Sequence, residues 1–264
     1  MARIFAIANQ KGGVGKTTTC VNLAASLAVT KKRVLLIDMD PQGNATMGAG
    51  VDKHEAELTV CDVLLGEADI ASTIQRSEEV GLDVVPANSD LTAAEIALMN
   101  IEHRERMLRE ALAPVLDNYD YVLIDCPPSL NMLTLNALTA ADGVLIPMQC
   151  EYYALEGLSA LVETIEKLRA TVNPRLRIEG LLRTMYDPRN RLASDVSKQL
   201  IGHFGDAVYR TMVPRNVRLA EAPSHGLPVL LYDRYSRGAV AYLALAGEIL
   251  RRAEQQSQLA EAAG

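Results

Sequence analysis

The chain has 264 residues and a formal net charge of −7, and 49% of its residues are hydrophobic but only 4% are aromatic. This composition favours one domain with a core of Leu, Ile, Val and Ala, as is typical of helices covering a parallel sheet. There is no run of eighteen apolar residues and no secretion signal, and the four cysteines and four histidines show no ligand or disulfide spacing. We therefore expect a cytoplasmic protein with reduced thiols and without a membrane span, zinc site or disulfide framework.

The charge is distributed unevenly along the chain. The acidic balance argues against a nucleic-acid partner, yet residues 175–237 contain eleven Lys and Arg against six Asp and Glu, so this stretch carries +5 and the remainder −12. A basic stretch on an acidic protein is either a polyanion-binding surface or simply a solvated face, and both interpretations stay open here.

The first predicted elements are a buried strand at 4–8 and a helix at 20–28, and the loop between them has the pattern of a phosphate-binding loop. Its glycines let successive N–H groups point at phosphate oxygens, and the helix adds its positive N-terminal end. Lys16 is expected to reach the β- and γ-phosphates and the Thr17 hydroxyl to bind magnesium. The nucleotide-binding residues predicted here are Lys11, Gly12, Gly13, Val14, Gly15, Lys16, Thr17 and Thr18.

This loop departs from the common pattern at one position. Gln10 stands where the usual pattern has glycine, and a second lysine, Lys11, follows it. Lys11 is either a solvated loop residue or a charge that compensates a phosphate, including one bound to a neighbouring subunit.

Acidic residues end two further predicted strands. The strand at 33–38 leads into Asp38 and Asp40, and the strand at 121–124 closes on Asp125. Ligands of open α/β sheets bind at the carboxyl ends of the strands, so these carboxylates should face the phosphate loop and serve magnesium or water rather than act only as helix caps. Pro127 and Pro128 predict a switch-like loop after Asp125.

The remaining pattern alternates strands with helices. The predicted helices are 60–65, 90–116, 131–141, 156–171, 195–204 and 237–255, and the predicted strands are 82–87, 143–147 and 177–185, with a strand-end turn at 213–217. This alternation predicts a single α/β domain over residues 1–264: a doubly wound, mainly parallel twisted sheet with helices on both faces, similar to P-loop NTPases.

Five motifs lie at 11–17, 38–44, 125–129, 149–158 and 214–224. Together they resemble the ParA/Soj family of chromosome- and plasmid-partitioning ATPases, and the likeness covers nearly the whole chain. The phosphate loop alone also resembles the wider group that contains MinD and the nitrogenase iron protein, but the motifs at 149–158 and 214–224 are specific to the ParA/Soj branch.

The resemblance implies a reaction cycle. ATP and Mg²⁺ would drive two subunits into a face-to-face homodimer that binds double-stranded DNA without sequence preference, and a ParB-type centromere-binding partner would stimulate slow hydrolysis and release. The protein would then be associated with the nucleoid. Lys11 would cross to the other subunit's nucleotide, and Gly12 would lie at the interface.

The resemblance also implies roles for single residues. Asp40 would orient the attacking water, so that Lys11, Lys16 and Asp40 form the catalytic set. Thr17 and Asp125 would serve magnesium. The adenine site would be lined by Pro214 and Asn216, and the DNA contacts would come from Arg189 and Arg218.

Two features narrow the expected function. The sequence starts at the first strand, so we expect no N-terminal helix-turn-helix domain and no operator binding. The tail at 251–261 contains one large apolar residue, unlike the membrane helix of MinD, so we expect no membrane attachment.

Three alternative functions compete with DNA partition. They are a MinD-like regulator of the division site, a reductase resembling the nitrogenase iron protein, and a small-molecule kinase. Cys126 and Cys150 are the cysteines nearest the region expected for an iron–sulfur cluster, but their positions favour buried structural thiols. Nothing in the sequence indicates a kinase substrate pocket.

Overall fold

A computed structural model describes residues 2–152 and 154–263. The strands in this part of the chain are β1 (Arg3–Ile7), β2 (Val34–Asp38), β3 (Gln75–Ser77), β4 (Leu82–Val85), β5 (Tyr121–Asp125), β6 (Gly143–Gln149), β7 (Arg177–Tyr186) and β8 (Val208–Pro214). They form one sheet in the order β3-β4-β2-β5-β1-β6-β7-β8, and each neighbouring pair is parallel except β3 with β4. The predicted mainly parallel sheet is confirmed.

Helices connect these strands. They are α1 (Lys16–Ala28), α2 (Asn44–Gly48), α3 (Val60–Leu65), α4 (Ile70–Thr73), α5 (Leu91–Leu98), α6 (Met107–Leu112), α7 (Met132–Ala140), α8 (Ala154–Thr171), α9 (Arg191–Phe204), α10 (Val217–Glu221), α11 (Val229–Tyr232) and α12 (Arg237–Ala263). Short 3₁₀ segments occupy 104–106, 113–118, 205–207 and 222–225.

The helices cover both faces of the sheet, as predicted. Side chains alternate along a strand, so that Ile4 and Ala6 of β1 enter one core and Phe5 and Ile7 enter the other. Helices α1 and α12 pack on the side of Phe5, whereas α7 and α8 pack on the side of Ile4. Each core is therefore closed by helices, which defines a doubly wound fold.

The strand order brings three strand ends together. In the ladder, Asp125 is paired with Ile7 on one side and with Asp38 on the other. Because β1, β2 and β5 are parallel, the loop after β1 and the two acidic strand ends meet at the same carboxyl edge. This is where open α/β sheets bind their ligands.

The predicted continuous helix from Asp90 to Leu116 is wrong. Helix α5 ends at Leu98, His103 has a left-handed φ of 56°, and the chain resumes as α6 before a 3₁₀ segment with Pro114 in its first turn. A left-handed residue redirects the chain, and proline removes a helical N–H donor. Apolar residues therefore repeat with nearly continuous helical spacing in the sequence, but the chain forms several short helices there.

Several element boundaries also differ from the sequence predictions. Helix α1 begins at Lys16 rather than at residue 20, α9 begins at Arg191 rather than at 195, and α12 extends to Ala263 rather than to 255. The sequence predicts only a strand-end turn at 213–217, whereas strand β8 begins at Val208; the polar residues Arg210 and Thr211 interrupt its apolar run. Among the described helices, none has the length and apolar character needed to cross a membrane.

Candidate nucleotide-binding site

The loop between β1 and α1 has the backbone of a phosphate cradle. Gly13 and Gly15 have φ values of 72° and 89°, in the left-handed region that favours glycine. Gly15 is also the N-cap of α1, and within the described residues no side chain caps this helix end. The first N–H groups of α1 thus remain directed at the loop, as an anion site at a helix N-terminus requires.

Lys16 lies inside this cradle. The residue is 7% exposed, and its Nζ donates to the Lys11 carbonyl oxygen over a long 3.4 Å. Burial lowers the pKa of the Lys16 ammonium, and the carboxylates of Asp125 and Asp40 oppose that shift. The ammonium is therefore buried and stabilised electrostatically by two acidic groups, while its only described hydrogen bond is long, which leaves it available for a phosphate.

Thr17 and Asp125 form a hydrogen-bonded pair in which one carboxylate oxygen has no partner among the described residues. The Thr17 hydroxyl donates to Asp125 Oδ2 at 2.7 Å, whereas Asp125 Oδ1 is buried and finds no hydrogen-bond partner in the described part of the chain. Burial raises the pKa of the Asp125 carboxyl well above its usual range, and the neighbouring Asp38 adds to that shift. A hydroxyl and a carboxylate with a free oxygen fit Mg²⁺, which prefers oxygen ligands and is bound by few protein groups.

The structure separates the roles of Asp38 and Asp40. Asp38 is fully buried, and its two oxygens accept hydrogen bonds from the Asp40 N–H at 3.1 Å and from the Thr46 N–H and hydroxyl, both at 2.8 Å. Asp40 is partly exposed, and the described hydrogen bonds use only its Oδ1, which accepts from the Gln42 N–H at 3.0 Å. Asp38 therefore builds the turn into α2, and Asp40 is the carboxylate that can reach solvent.

Lys11 lies at the exposed mouth of the loop. Its Nζ is 2.5 Å from Glu151 Oε2, and the two side chains are 44% and 52% exposed. An exposed pair of this kind is weak and exchanges readily for another anion. Tyr153, which belongs to the same motif at 149–158 as Glu151, lies outside the described residues.

Pro214 is the last residue of β8, and Asn216 lies two residues further on, before α10. Pro214 ends the strand opposite Tyr186 of β7. Asn216 is the N-cap of α10, and its Oδ1 accepts from the Leu219 N–H at 3.3 Å. Asn216 is half-buried, and its Nδ2 makes no hydrogen bond within the described residues, so a donor for a ligand remains at this edge of the sheet.

The two arginines predicted to contact DNA lie outside the phosphate cradle. Arg189 follows β7, has a side chain that is 88% exposed, and pairs with both oxygens of Asp187 at 3.0 and 2.8 Å. Arg218 in α10 pairs with Glu221 at 2.8 Å and with Asp233 at 3.3 Å, and half of its side chain is exposed.

The sequence did not indicate that two residues outside the loop hydrogen-bond to its backbone carbonyls. Thr184 of β7 donates its hydroxyl hydrogen to the Val14 carbonyl at 2.7 Å, and Gln149 at the end of β6 donates to the Gly13 carbonyl at 3.3 Å. The available signal was their position near the carboxyl ends of strands, where polar side chains face the ligand edge.

These features define the class of nucleotide-binding protein to which the site belongs. A glycine loop between a buried strand and a helix, with a buried lysine, a threonine and a strand-end aspartate beside it, is the phosphate site of P-loop nucleoside triphosphatases. Within the described residues, no three or more His, Cys, Asp and Glu side chains are grouped so that they could hold a metal ion, and all four cysteines are buried.

The comparisons with known proteins name the family. A family model described as an AAA domain matches residues 2–178. The chain is 54% identical over 252 residues to the chromosome partitioning protein ParA of Caulobacter vibrioides, covering 95% of this chain and 94% of that protein. It is 55% identical over 249 residues to the sporulation initiation inhibitor protein Soj of Bacillus subtilis, covering 94% and 98%. The chain belongs to the ParA/Soj family of ATPases, as the motifs predicted.

A solved structure has the same fold over nearly its full length. It is described as cobyrinic acid a,c-diamide synthase from Mycobacterium smegmatis with bound ADP and magnesium, and it matches this chain with a TM-score of 0.84 and 38% identity over 96% of each chain. The ParA and Soj relatives are more similar to this chain in sequence, at 54% and 55% identity.

Proposed function

We propose that this protein is an ATP-dependent partition protein of chromosomes or plasmids, and that ATP and Mg²⁺ are its ligands. The observation that carries the proposal is the arrangement of Lys16, Thr17 and Asp125, in which a buried ammonium and an open carboxylate oxygen lie beside a glycine cradle. The family relationship adds chromosome partitioning as the process that the ATPase serves.

Each site residue has a distinct task in this proposal. Lys16 and the loop N–H groups hold the β- and γ-phosphates, and Thr17 and Asp125 hold the metal ion. When bound, Mg²⁺ neutralises charge on the phosphate oxygens. Asp40, which is more exposed than Asp38 at the end of β2, orients the attacking water.

Dimerisation is proposed at the mouth of the loop. Lys11 and Gly12 are both exposed in the single chain, and Lys11 has only an exposed partner to release. A second subunit that faces this surface could present its nucleotide to Lys11, while Gly12 lets the two loops approach closely. The ATP-bound state would accordingly be a homodimer.

DNA binding is proposed for the basic stretch 175–237 through Arg189 and Arg218. The two arginines are exposed and carried by neighbouring segments after β7 and β8, and a dimer would present two copies of them. Contacts to the phosphate backbone carry no base information, so the binding is expected to be independent of sequence. A ParB-type partner would stimulate hydrolysis and release, which would keep the protein associated with the nucleoid.

DNA binding measured without nucleotide, with ADP and with ATP tests the proposal directly. Tight binding should occur only with ATP and should be equal on two unrelated duplexes. DNA binding that is indifferent to nucleotide would contradict the proposed cycle, and recruitment to liposomes by ATP without DNA binding would favour the MinD-like alternative.

Gly12→Val should leave ATP bound to monomers. A Cβ at Gly12 would meet no described atom within 4 Å, and its φ lies outside the left-handed region, so valine fits within one chain. The branched side chain would obstruct only an approaching loop. Light scattering with ATP measures dimerisation, and Gly13→Val is the matched control, because its φ of 72° should make valine there disturb ATP binding itself. Full dimerisation of Gly12→Val would exclude the proposed interface.

Asp40→Ala should preserve ATP binding and reduce stimulated hydrolysis by roughly 100-fold or more, because it removes water positioning without touching the cradle. The variant should accumulate as a DNA-bound dimer. Phosphate release with DNA and partner protein measures the effect.

Asp38→Asn is the control for Asp40. Asp38 accepts three hydrogen bonds inside the fold, so its replacement should lower the free energy of unfolding by about 2 kcal/mol. If Asp40→Ala retains normal turnover, Asp40 does not position the water.

A further inference from the structure

Two residues that the proposed chemistry does not use donate hydrogen bonds to backbone carbonyls of the phosphate loop. Thr184 is 3% exposed, and its hydroxyl donates to the Val14 carbonyl oxygen at 2.7 Å. Gln149 donates through Nε2 to the Gly13 carbonyl oxygen at 3.3 Å. The contacts bridge residues that are 170 and 136 positions apart in sequence, so they bind the loop to β7 and β6.

These hydrogen bonds determine which way two peptide groups of the loop face. In a trans peptide the C=O and the following N–H point in opposite directions. When Thr184 holds the Val14 carbonyl, the Gly15 N–H is directed away from β7. When Gln149 holds the Gly13 carbonyl, the Val14 N–H is directed away from β6. An array of N–H groups facing one side is what makes such a loop an anion site.

The strand is irregular immediately after Thr184. Met185 has a left-handed φ of 48°, which is unusual for a residue with a side chain. The pairing of β7 with β8 also shifts between Arg183 and Tyr186. Met185 Sδ lies 2.7 Å from Gln149 Nε2, so the irregular residue contacts the other supporting side chain. Non-glycine residues in this conformation persist only where the surroundings hold them, and they concentrate at functional sites.

We propose that Thr184 is a positioning residue for nucleotide binding: its hydroxyl fixes the Val14–Gly15 peptide in the orientation that binds phosphate before the nucleotide arrives. Gln149 acts in the same way, more weakly, on the Gly13–Val14 peptide. The inference rests on the proposed binding of nucleoside triphosphates to this loop. Without the hydroxyl, the peptide can rotate, and the nucleotide must then restrict it on binding.

Thr184→Val tests the role, because valine has nearly the same shape and lacks the donor. We expect ATP affinity, measured calorimetrically with Mg²⁺, to fall about tenfold, as for a lost hydrogen bond to a buried acceptor. Thr184→Ser should restore affinity to within about twofold, because it returns the hydroxyl.

Two further variants make the test specific. Thr139→Val is the matched control: Thr139 is 1% exposed in α7, and its hydroxyl has no hydrogen-bond partner in the described residues, so ATP affinity should not change. Gln149 is half-buried, so its position tolerates replacement better than that of Thr184. Gln149→Leu should weaken ATP binding about threefold. This variant supplies a test if Thr184→Val does not fold.

The outcomes separate this inference from the proposed function. If the parent protein does not bind ATP, the proposed function fails. If the parent binds ATP and both Thr184→Val and Gln149→Leu bind it equally well, the positioning role is wrong and the function stands. If Thr184→Ser binds ATP as poorly as Thr184→Val, the effect comes from packing and not from the hydroxyl, which also overturns the inference.

Discussion

Replacing Lys16 with alanine should abolish nucleotide binding and, with it, dimerisation and DNA binding. The ammonium is buried within the cradle and near Asp125 and Asp40. Its removal takes away the charge-assisted hydrogen bonds to the phosphates and the favourable electrostatic interaction of the ammonium with Asp125 and Asp40. The loss should be at least about 3 kcal/mol, or roughly 150-fold in affinity.

Lys11→Ala is the matched control for this variant, since it removes a lysine from the same loop at an exposed position. It should keep ATP bound to the monomer and lose only the dimer. Calorimetry for ATP and light scattering for the dimer distinguish the two lysines. A Lys16→Ala protein that still dimerises with ATP would show that the cradle does not depend on this ammonium.

The phosphate loop and the edge of the sheet at which it lies could be predicted from the sequence. Loop residues from Lys11 to Thr18 are contiguous, and their chemistry follows from glycine geometry and residue type alone. Asp125 could be added because it ends an apolar strand, and parallel strands bring such ends together. The register confirms that adjacency, since Asp125 is paired with Ile7 and Asp38.

Other features depended on contacts that no local pattern contains. Asp38 and Asp40 look alike in the sequence, and only the hydrogen bonds from Thr46 distinguish a structural carboxylate from an open one. Thr184 was placed in a strand, but its contact with Val14 requires the three-dimensional neighbourhood of β7 and the loop. The segment 90–116 was misjudged because its apolar residues repeat with helical spacing across a left-handed turn at His103.

Arg218 already forms ion pairs with which a DNA phosphate would have to compete. The guanidinium already holds Glu221 and Asp233. A DNA phosphate would have to replace or share these carboxylates. The exchange is feasible because exposed ion pairs contribute little, typically under about 1 kcal/mol. Glu221→Gln should therefore strengthen DNA binding slightly by freeing the arginine.

Arg218→Glu should eliminate DNA binding while preserving ATP-dependent dimerisation and basal hydrolysis. The substitution removes a phosphate contact from each subunit of the dimer and places a third carboxylate beside Glu221 and Asp233, so affinity at low salt should fall by roughly 30-fold or more. Arg169→Glu is the matched control: Arg169 pairs with Glu166 at i−3 and is 52% exposed, against 50% for Arg218, but it lies outside the basic stretch. The control should bind DNA nearly as the parent does.

A salt series on two unrelated duplexes completes this test. Arg189→Ala should weaken binding less than Arg218→Glu does, and it should make the log–log salt dependence shallower by about 2 if one phosphate contact is lost per subunit. Equal losses in Arg169→Glu and Arg218→Glu would mean that net charge rather than a contact controls binding. Unchanged binding by Arg218→Glu, or a strong preference for one duplex, would exclude a backbone contact at this arginine.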